Sequence, residues 1–421
     1  MSQKNPCCLL IDPYVSTKMV CETLHKKGIR CIALFTYHEI FSESALARFK
    51  LSVFDKVIHL SNENREDVLR ELEQEKVDFI QAGREYSVNI SDEIAMKLCS
   101  KYANSPSTSF QRMNKYEMQE AVRKAGLRAT MQHKIPHAWL SQKDIEELKK
   151  FHFPVIVKPM EASGSLGVKV CATIEDIQLT LKEVSGKKTP LGSEVLGVVV
   201  QELLKGDEYI VDSISLQGNH LNTCVFRYGK TLHHQIPIYR YVDVLNFESK
   251  EAKLCSEYIQ KSLRAIGLNN GLSHAELFLS PEGACLVEIN PRVSGLYGFL
   301  NHVARCVFGM NQVDVLAEII KDKEAMLAFI SKQFKARCHS RIIIVQNFHP
   351  KTLDEFNSKS LLQSLVSYDQ HQSFIQAGQE HSGAKVLSDA IAYISLVHSN
   401  PKQIEEDSQK IWHWEKEGLL F

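Results

Sequence analysis

Along the first hundred residues, short apolar runs alternate with stretches in which apolar positions recur every three or four residues. Residues 8–11, 31–35, 56–60 and 78–82 predict strands, and residues 17–27, 63–75 and 89–99 predict the helices between them. Strand and helix in this alternation imply a βαβ arrangement around a parallel sheet. The residues after the first strand are Asp12-Pro13-Tyr14-Val15, without the glycines of a dinucleotide-binding turn. That argues against a nicotinamide cofactor.

From Asn114 the pattern changes. Residues 115–125 predict an amphipathic helix ended by Gly126, and 153–159 a strand closed by Pro159. A Gly/Ser loop follows, then a strand over 168–171 and a helix over 174–184. The polar stretch 185–193 reads as a surface loop. Strands over 198–202, 209–216 and 222–228 predict one antiparallel sheet. A helix over 250–266 precedes two strands, 273–279 and 285–289, joined by the turn Ser280-Pro281-Glu282-Gly283. Residues 311–333 predict helix, residues 338–346 and 391–398 strands, and a terminal helix begins around Lys402. Tyr239, Arg240 and Tyr241 read as a binding wall or an edge strand.

Charge narrows the partners. Lys plus Arg equals Asp plus Glu, 50 against 50, so no excess of positive charge points to nucleic acid or an anionic membrane. The apolar run 195–200 is interrupted by Gly197 and far too short to span a bilayer. The polar first residues predict no signal peptide. Eleven cysteines without C-x-x-C spacing read as reduced, buried hydrophobes, as expected in the cytoplasm.

Candidate chemistry gathers in three places. In Glu288-Ile289-Asn290-Pro291-Arg292, alternation sends Glu288 and Asn290 to one face, and hairpin pairing can bring Glu276 of His274-Ala275-Glu276 beside them. Two carboxylates and an amide oxygen are hard ligands suited to magnesium. Arg292 beside them can stabilise charge on a transferring group. Next, Glu161-Ala162-Ser163-Gly164-Ser165-Leu166-Gly167-Val168 follows Lys158-Pro159. Small residues there let backbone N–H groups approach phosphate, although the spacing is not that of a Walker loop. Third, Glu202-Leu203-Leu204-Lys205-Gly206-Asp207-Glu208 closes a strand with acids. By itself it is an ordinary acidic turn, and it can equally present backbone groups to an adenine edge and an acid to ribose.

These segments, in this order, resemble the ATP-grasp superfamily. Similarity runs through most of the chain, including Gly83-Arg84-Glu85, Asn104, Asn114-Lys115-Tyr116 and Ala125-Gly126. It is strongest toward the branch of L-amino-acid ligases and carnosine-synthase-like dipeptide synthetases. Asp389-Ala390-Ile391-Ala392-Tyr393, Val397-His398 and Ile404-Glu405-Glu406-Asp407 through Trp412 resemble that branch's closing subdomain. The resemblance implies an α/β (α+β) chain: a Rossmann-like domain over 1–110, a small lobe with the phosphate loop over 111–195, a large lobe with the metal site over 196–335, and a closing subdomain over 336–421.

It also implies roles. Lys115 and Lys158 would touch ATP phosphates, and Ser163, Gly164, Ser165, Gly167 and Val168 would cover them. Glu202 and the backbone near Leu204 would hold adenine, and Glu208 the ribose. Glu276, Glu288 and Asn290 would ligate Mg2+, with Mn2+ as a substitute, and Arg292 and Lys158 would act at the acyl phosphate. After Arg292 the sequence is Val293-Ser294-Gly295-Leu296-Tyr297-Gly298, without the acid of the Gln-Val-Glu-His motif of biotin-dependent carboxylases, which argues against that chemistry. In amino-acid ligases the backbone near the equivalent of Gly295 helps receive the substrate's amino group. A large aromatic often follows, and Leu296 in its place leaves the first substrate's size open. Glu85 at a strand's carboxyl end, and His233-His234, are further candidate substrate contacts.

The implied activity is an ATP-dependent, ADP-forming ligase that joins a small carboxylate to a small amine through an acyl phosphate. Loading of an amino acid onto a carrier protein or macromolecule, a purine-pathway-like ligation and a non-catalytic nucleotide-binding module are the alternatives. The intact Glu276, Glu288, Asn290 and Arg292 set argues against the last. A homodimer remains open.

Overall fold

The computed structural model describes residues 5–13, 16–36, 51–160, 167–187, 194–195, 197–233, 236–332, 334–353, 356, 359–384 and 387–421. Strands β1 (Cys7–Ile11), β2 (Arg30–Phe35), β3 (Lys56–His59) and β4 (Phe79–Ala82) form a parallel sheet in the order β3-β2-β1-β4. All five residues of β1 are buried, as expected of a strand covered on both faces. Alternation divides them between two cores. Cys7, Leu9 and Ile11 pack with Val68, Leu72 and Ile94, from the helices Arg65–Glu75 and Val88–Leu98. Cys8 and Leu10 face a larger core that includes Leu300, Val303, Leu316, Ile210 and Leu272. Each such fully buried Leu or Ile contributes roughly 2 kcal/mol, so the parallel sheet is welded to the rest of the chain.

Strands β5 (Gln132–Ile135), β6 (Val155–Pro159), β7 (Lys169–Cys171) and β8 (Val198–Glu202) form a second, antiparallel sheet in the order β5-β8-β6-β7. This corrects one expectation: β8 does not share a sheet with residues 209–216 and 222–228. The chain leaves this sheet through residues 203–206. Gly206 has φ +121°, and a Cβ there would sit 2.3 Å from the Leu279 carbonyl oxygen, so a side chain is excluded at the crossing.

The third sheet has eight strands. Strands β9 (Asp207–Leu216), β10 (Asn219–His233), β11 (Ile236–Val244), β12 (Gly271–Ser280), β13 (Gly283–Asn290), β14 (His339–Val345), β16 (Tyr368–Ser373) and β18 (Ala392–His398) lie in the order β13-β12-β9-β10-β11-β14-β18-β16. Strands β15 (Lys351–Leu353) and β17 (Gln379–His381) form a separate pair. Strands β14, β16 and β18 therefore continue the sheet that carries β12 and β13, through the pairing of β11 with β14. Tyr239, Arg240 and Tyr241 lie in β11, between β10 and β14 and away from the sheet edge.

Residues 311–333 do not form one helix. Asn311 caps the helix Gln312–Lys321 by accepting the N–H groups of Val313 and Asp314, and a second helix, Ala325–Ile330, follows a break at residues 322–324. The helix Phe299–Phe308 was missed although Phe299, Leu300, Val303, Ala304, Val307 and Phe308, all buried, keep helical spacing. Most of the loop expected over 185–193 lies outside the described residues. None of the described helices is long and apolar enough to cross a membrane.

Candidate functional site

The hairpin β12–β13 builds the site. Gly283 closes its turn with φ +105°, and register pairs Glu276 with Glu288 and His274 with Asn290. Ala275 and Ile289 alternate to the opposite face, inside an apolar core. Burial of one face therefore fixes which four polar side chains stand together on the other.

Electrostatics tie these groups to residues from distant elements. Lys115 Nζ lies 2.7 Å from Glu288 Oε2, and the Asn290 amide donates to Glu288 Oε1 at 3.1 Å. Burial opposes the Glu288 charge, but Lys115, Asn290 and Lys158 outweigh it and hold the carboxyl down at about 2. Lys115 begins the helix Lys115–Lys124, whose N-cap Asn114 accepts from the Tyr116 and Glu117 amides. Its own pKa is raised: burial works against the charge, and Glu288, Glu85 and Glu276 overcome it. Lys158, on β6, is lowered by burial and by Lys115, with Glu288, Glu276 and Glu208 opposing. Both lysines thus lie in the field of the same acids.

His274 is buried between Asp212, 2.9 Å from Nδ1, and Glu276, 3.5 Å from Nε2. Burial disfavours its charge, yet the two acids push it up to about 9. His274 thus bridges Asp212 and Glu276.

Arg292 Nε donates to Glu85 Oε1 at 2.6 Å, and Nη1 donates to the Val293 carbonyl at 3.0 Å. Glu85 follows β4, at the carboxyl end of the parallel sheet. Its carboxylate is largely shielded from solvent and paired with Arg292. Burial raises its pKa, but Arg292 more than compensates and lowers it. Gln81 reinforces the junction, donating to the Pro291 carbonyl at 3.0 Å and accepting from the Leu272 amide at 2.7 Å.

Other expected residues are placed differently. Glu208 accepts from Lys230 and from the Tyr239 hydroxyl, at 3.1 and 3.2 Å for the latter; burial raises its pKa against the pull of Lys230. Glu202 is engaged with backbone: its Oε1 accepts from the Met131 amide at 2.8 Å. Leu204 lies in the crossing between the two antiparallel sheets. Gly167 has φ +72°, and a Cβ there would come within 2.9 Å of Pro159, while Val168 leads into β7. Ser163, Gly164, Ser165 and His234 lie outside the described residues. The His233 ring meets Phe348 and His349, with centroids 4.9 and 6.1 Å away.

Gly295 opens a short turn in which Leu296 and Tyr297 are both left-handed, with φ of 50° and 54°. For non-glycine residues each costs about 1 kcal/mol or more and persists only where surroundings impose it. Here Tyr297 stacks on Phe374 at 4.6 Å, and Leu296 packs against the large core.

Lys230, Asp212 and Gln81 were missed by sequence reasoning, whereas Tyr239 was singled out without its partner Glu208. Lys230 carried no usable signal, because the β10–β11 register shifts between Gly229 and Lys230 and simple alternation does not give its face. Asp212 could have been suspected as an acid on the face that Ile210 and Ile214 share on β9, but its partner depends on the β9–β12 register, which pairs it with His274.

Residues 151–298 match the ATP-grasp domain family. Dapdiamide A synthase of Enterobacter agglomerans is 26% identical over 349 residues, covering 81% of this chain and 80% of that protein. Carnosine synthase 1 of Gallus gallus is 31% identical over 115 residues, 27% of this chain and 12% of that protein. The crystal structure of an L-amino acid ligase from Bacillus licheniformis superposes with a TM-score of 0.76 at 15% identity, covering 97% of each chain.

Proposed function

We propose that this chain, which carries an ATP-grasp domain over residues 151–298, is an ATP-dependent, ADP-forming carboxylate–amine ligase joining amino acids, or an amino acid and another small amine. The observation that carries this reading is the convergence of Glu276, Glu288 and Asn290 with Lys115, and of Arg292 with Glu85, around one hairpin. The amino-acid part rests on the likeness to dapdiamide A synthase over most of both chains. The working division is a first domain through residue 110, lobes over 111–195 and 196–335, and a closing segment over 336–421.

ATP would lie with its phosphates against Lys115 and Lys158 and its base near Glu202 and Leu204. Glu208 would reach the ribose while retaining Lys230 and Tyr239, since a carboxylate has acceptor sites for several donors. The donor set fits magnesium or manganese: two carboxylates and an amide oxygen share one face, and the Lys115 ammonium rests on Glu288 where positive charge is stabilised. Glu276, Glu288 and Asn290 would hold such an ion, which neutralises phosphate charge when bound.

The substrate carboxylate attacks the γ-phosphorus, ADP leaves, and an acyl phosphate results. Lys115, Lys158 and Arg292 spread the negative charge of that transfer. The amine of the second substrate then attacks the acyl carbon, loses a proton and expels phosphate. Gly295 and Leu296, next to Arg292, would line the first substrate. These steps need no protein nucleophile, and burial pushes thiols such as Cys8 and Cys224 far up, which leaves them poor nucleophiles.

The test is a phosphate-release screen of the purified protein with ATP, magnesium and pairwise amino acids, with products identified by mass spectrometry. An amide formed from two free small molecules supports the reading. Turnover that appears only with an aminoacyl-accepting carrier protein would overturn free-substrate ligation.

A further inference from the structure

We propose that His302, Cys306 and Asp369 form a binding site for a thiolate-favouring divalent metal ion, of which zinc is the representative. His302 and Cys306 stand one turn apart on the helix Phe299–Phe308, so both project from one face. Asp369 reaches them from β16. His302 Nε2 lies 2.6 Å from Asp369 Oδ2 and 3.6 Å from Cys306 Sγ, and all three ligand atoms lie within 4.8 Å of one another.

The shared nitrogen decides between two readings of such a trio. In a Cys–His–Asp relay the thiol and the carboxylate address opposite ring nitrogens. Here both address Nε2, so three donor atoms point at a common centre. Zinc bond lengths at a tetrahedral angle place ligand atoms roughly 3.3–3.8 Å apart. The sulfur–nitrogen edge already has that length. The shorter nitrogen–oxygen edge is held by a proton that the metal would replace, and it opens by about 1 Å when that proton leaves. A neutral imidazole, a thiolate and a carboxylate would together balance the ion's two positive charges.

A supporting shell is also present. Ser395 on β18 donates to Asp369 Oδ2 at 2.6 Å, the kind of outer hydrogen bond that orients a carboxylate ligand. Cys338 lies alongside, its sulfur 3.4 Å from the Cys306 carbonyl oxygen. The His302 and Asp369 side chains keep 33% and 28% of their exposure, which leaves an approach for the ion. A bound ion would tie the helix that follows the Arg292 turn to strands β16 and β18, beside the stack of Tyr297 on Phe374.

The experiment uses the full chain, stripped with a chelator and titrated with cobalt(II) under reducing conditions. We expect saturation at one equivalent with a thiolate-to-cobalt charge-transfer absorption, displacement by zinc, and a higher melting temperature in zinc. Cys306→Ser removes the absorption, whereas Cys338→Ser retains it. Ser395→Ala lowers the affinity by about tenfold. Absence of saturable binding by the unmodified chain overturns the proposal, as does a charge-transfer band that survives Cys306→Ser. None of these readouts depends on ligase activity, so failure here leaves the reading of the ATP-grasp site untouched.

Discussion

Glu85 and Arg292, separated by 207 positions in sequence, meet at 2.6 Å between Glu85 Oε1 and Arg292 Nε. One stands at the carboxyl end of the parallel sheet and the other just beyond the β12–β13 hairpin. The parallel sheet therefore supplies the group that orients the arginine we assign to acyl transfer. Asn104 strengthens the same junction, donating to the Asn270 carbonyl at 2.9 Å and accepting from the Asn269 and Asn270 amides at 2.8 Å.

Arg292→Ala should lower turnover more than ATP affinity, because the charge it meets is larger in the transition state than in bound ATP. Losing one such donor costs on the order of 3 kcal/mol, roughly a hundredfold in rate. Arg292→Lys should rescue only in part, since an ammonium lacks the planar fork that bonds Glu85 and the Val293 carbonyl together. Calorimetric ATP affinity beside product formation checks this. A collapse of ATP affinity with unchanged turnover at saturating ATP would place Arg292 on the nucleotide.

Glu85→Gln should slow turnover while leaving ATP affinity near that of the parent, because the lost charge acts on Arg292 and not on phosphate. In the Arg292→Ala background the same change should do little more, since the two residues form one pair. Additive losses in that double-mutant cycle would show that Glu85 acts on substrate independently of Arg292.

For Glu288→Gln we expect loss of product with the fold intact. The change preserves shape and removes the charge that holds Lys115 at 2.7 Å. Circular dichroism and product assays at rising magnesium decide it: near-normal turnover by a folded variant would make Glu288 a bystander.

ATP should raise the melting temperature modestly without magnesium and further with it, since stabilisation scales with affinity for the folded state. The motive is the Glu276, Glu288 and Asn290 face. A thermal-shift series flat at every magnesium concentration would remove nucleotide binding at this site.

Acid stability should report on Glu75. Its carboxylate accepts from Lys56 at 2.8 Å and Arg30 at 2.6 Å, and these bonds lower it from the usual 4.5 to about 2. A depressed acid stabilises the fold fully above its ordinary value and loses that contribution as pH falls from 4.5 through about 2. Glu75→Gln should thus cost about 2 kcal/mol at neutral pH. The gap from the parent should narrow toward pH 2. Urea midpoints at both ends of that range check the sign, and a gap that widens in acid would refute it.

Local order was legible in the sequence because it is set by neighbours along the chain. The period of two on β12 and β13 put Glu276, Glu288 and Asn290 on one face, and apolar Ala275 and Ile289 on the other. The parallel order of the first sheet followed from strands alternating with helical repeats. Lys115 and Lys158 were named from short motifs, and both lie in the field of Glu288 and Glu276.

What the sequence by itself determined was thus the period of each segment and the chemistry each could offer. Tertiary structure decided which segments meet. Val198–Glu202 is as apolar as a strand of the larger sheet, yet it pairs with β5 and β6, because strand pairing is a contest between distant edges that periodicity does not rank. Glu85 became Arg292's partner, and Lys230 Glu208's, only when separate sheets closed on each other and a bulge re-aimed one strand. Buried charges must be neutralised by whatever the fold brings near them. That neighbour is a property of packed topology, and no pattern within a single segment contains it.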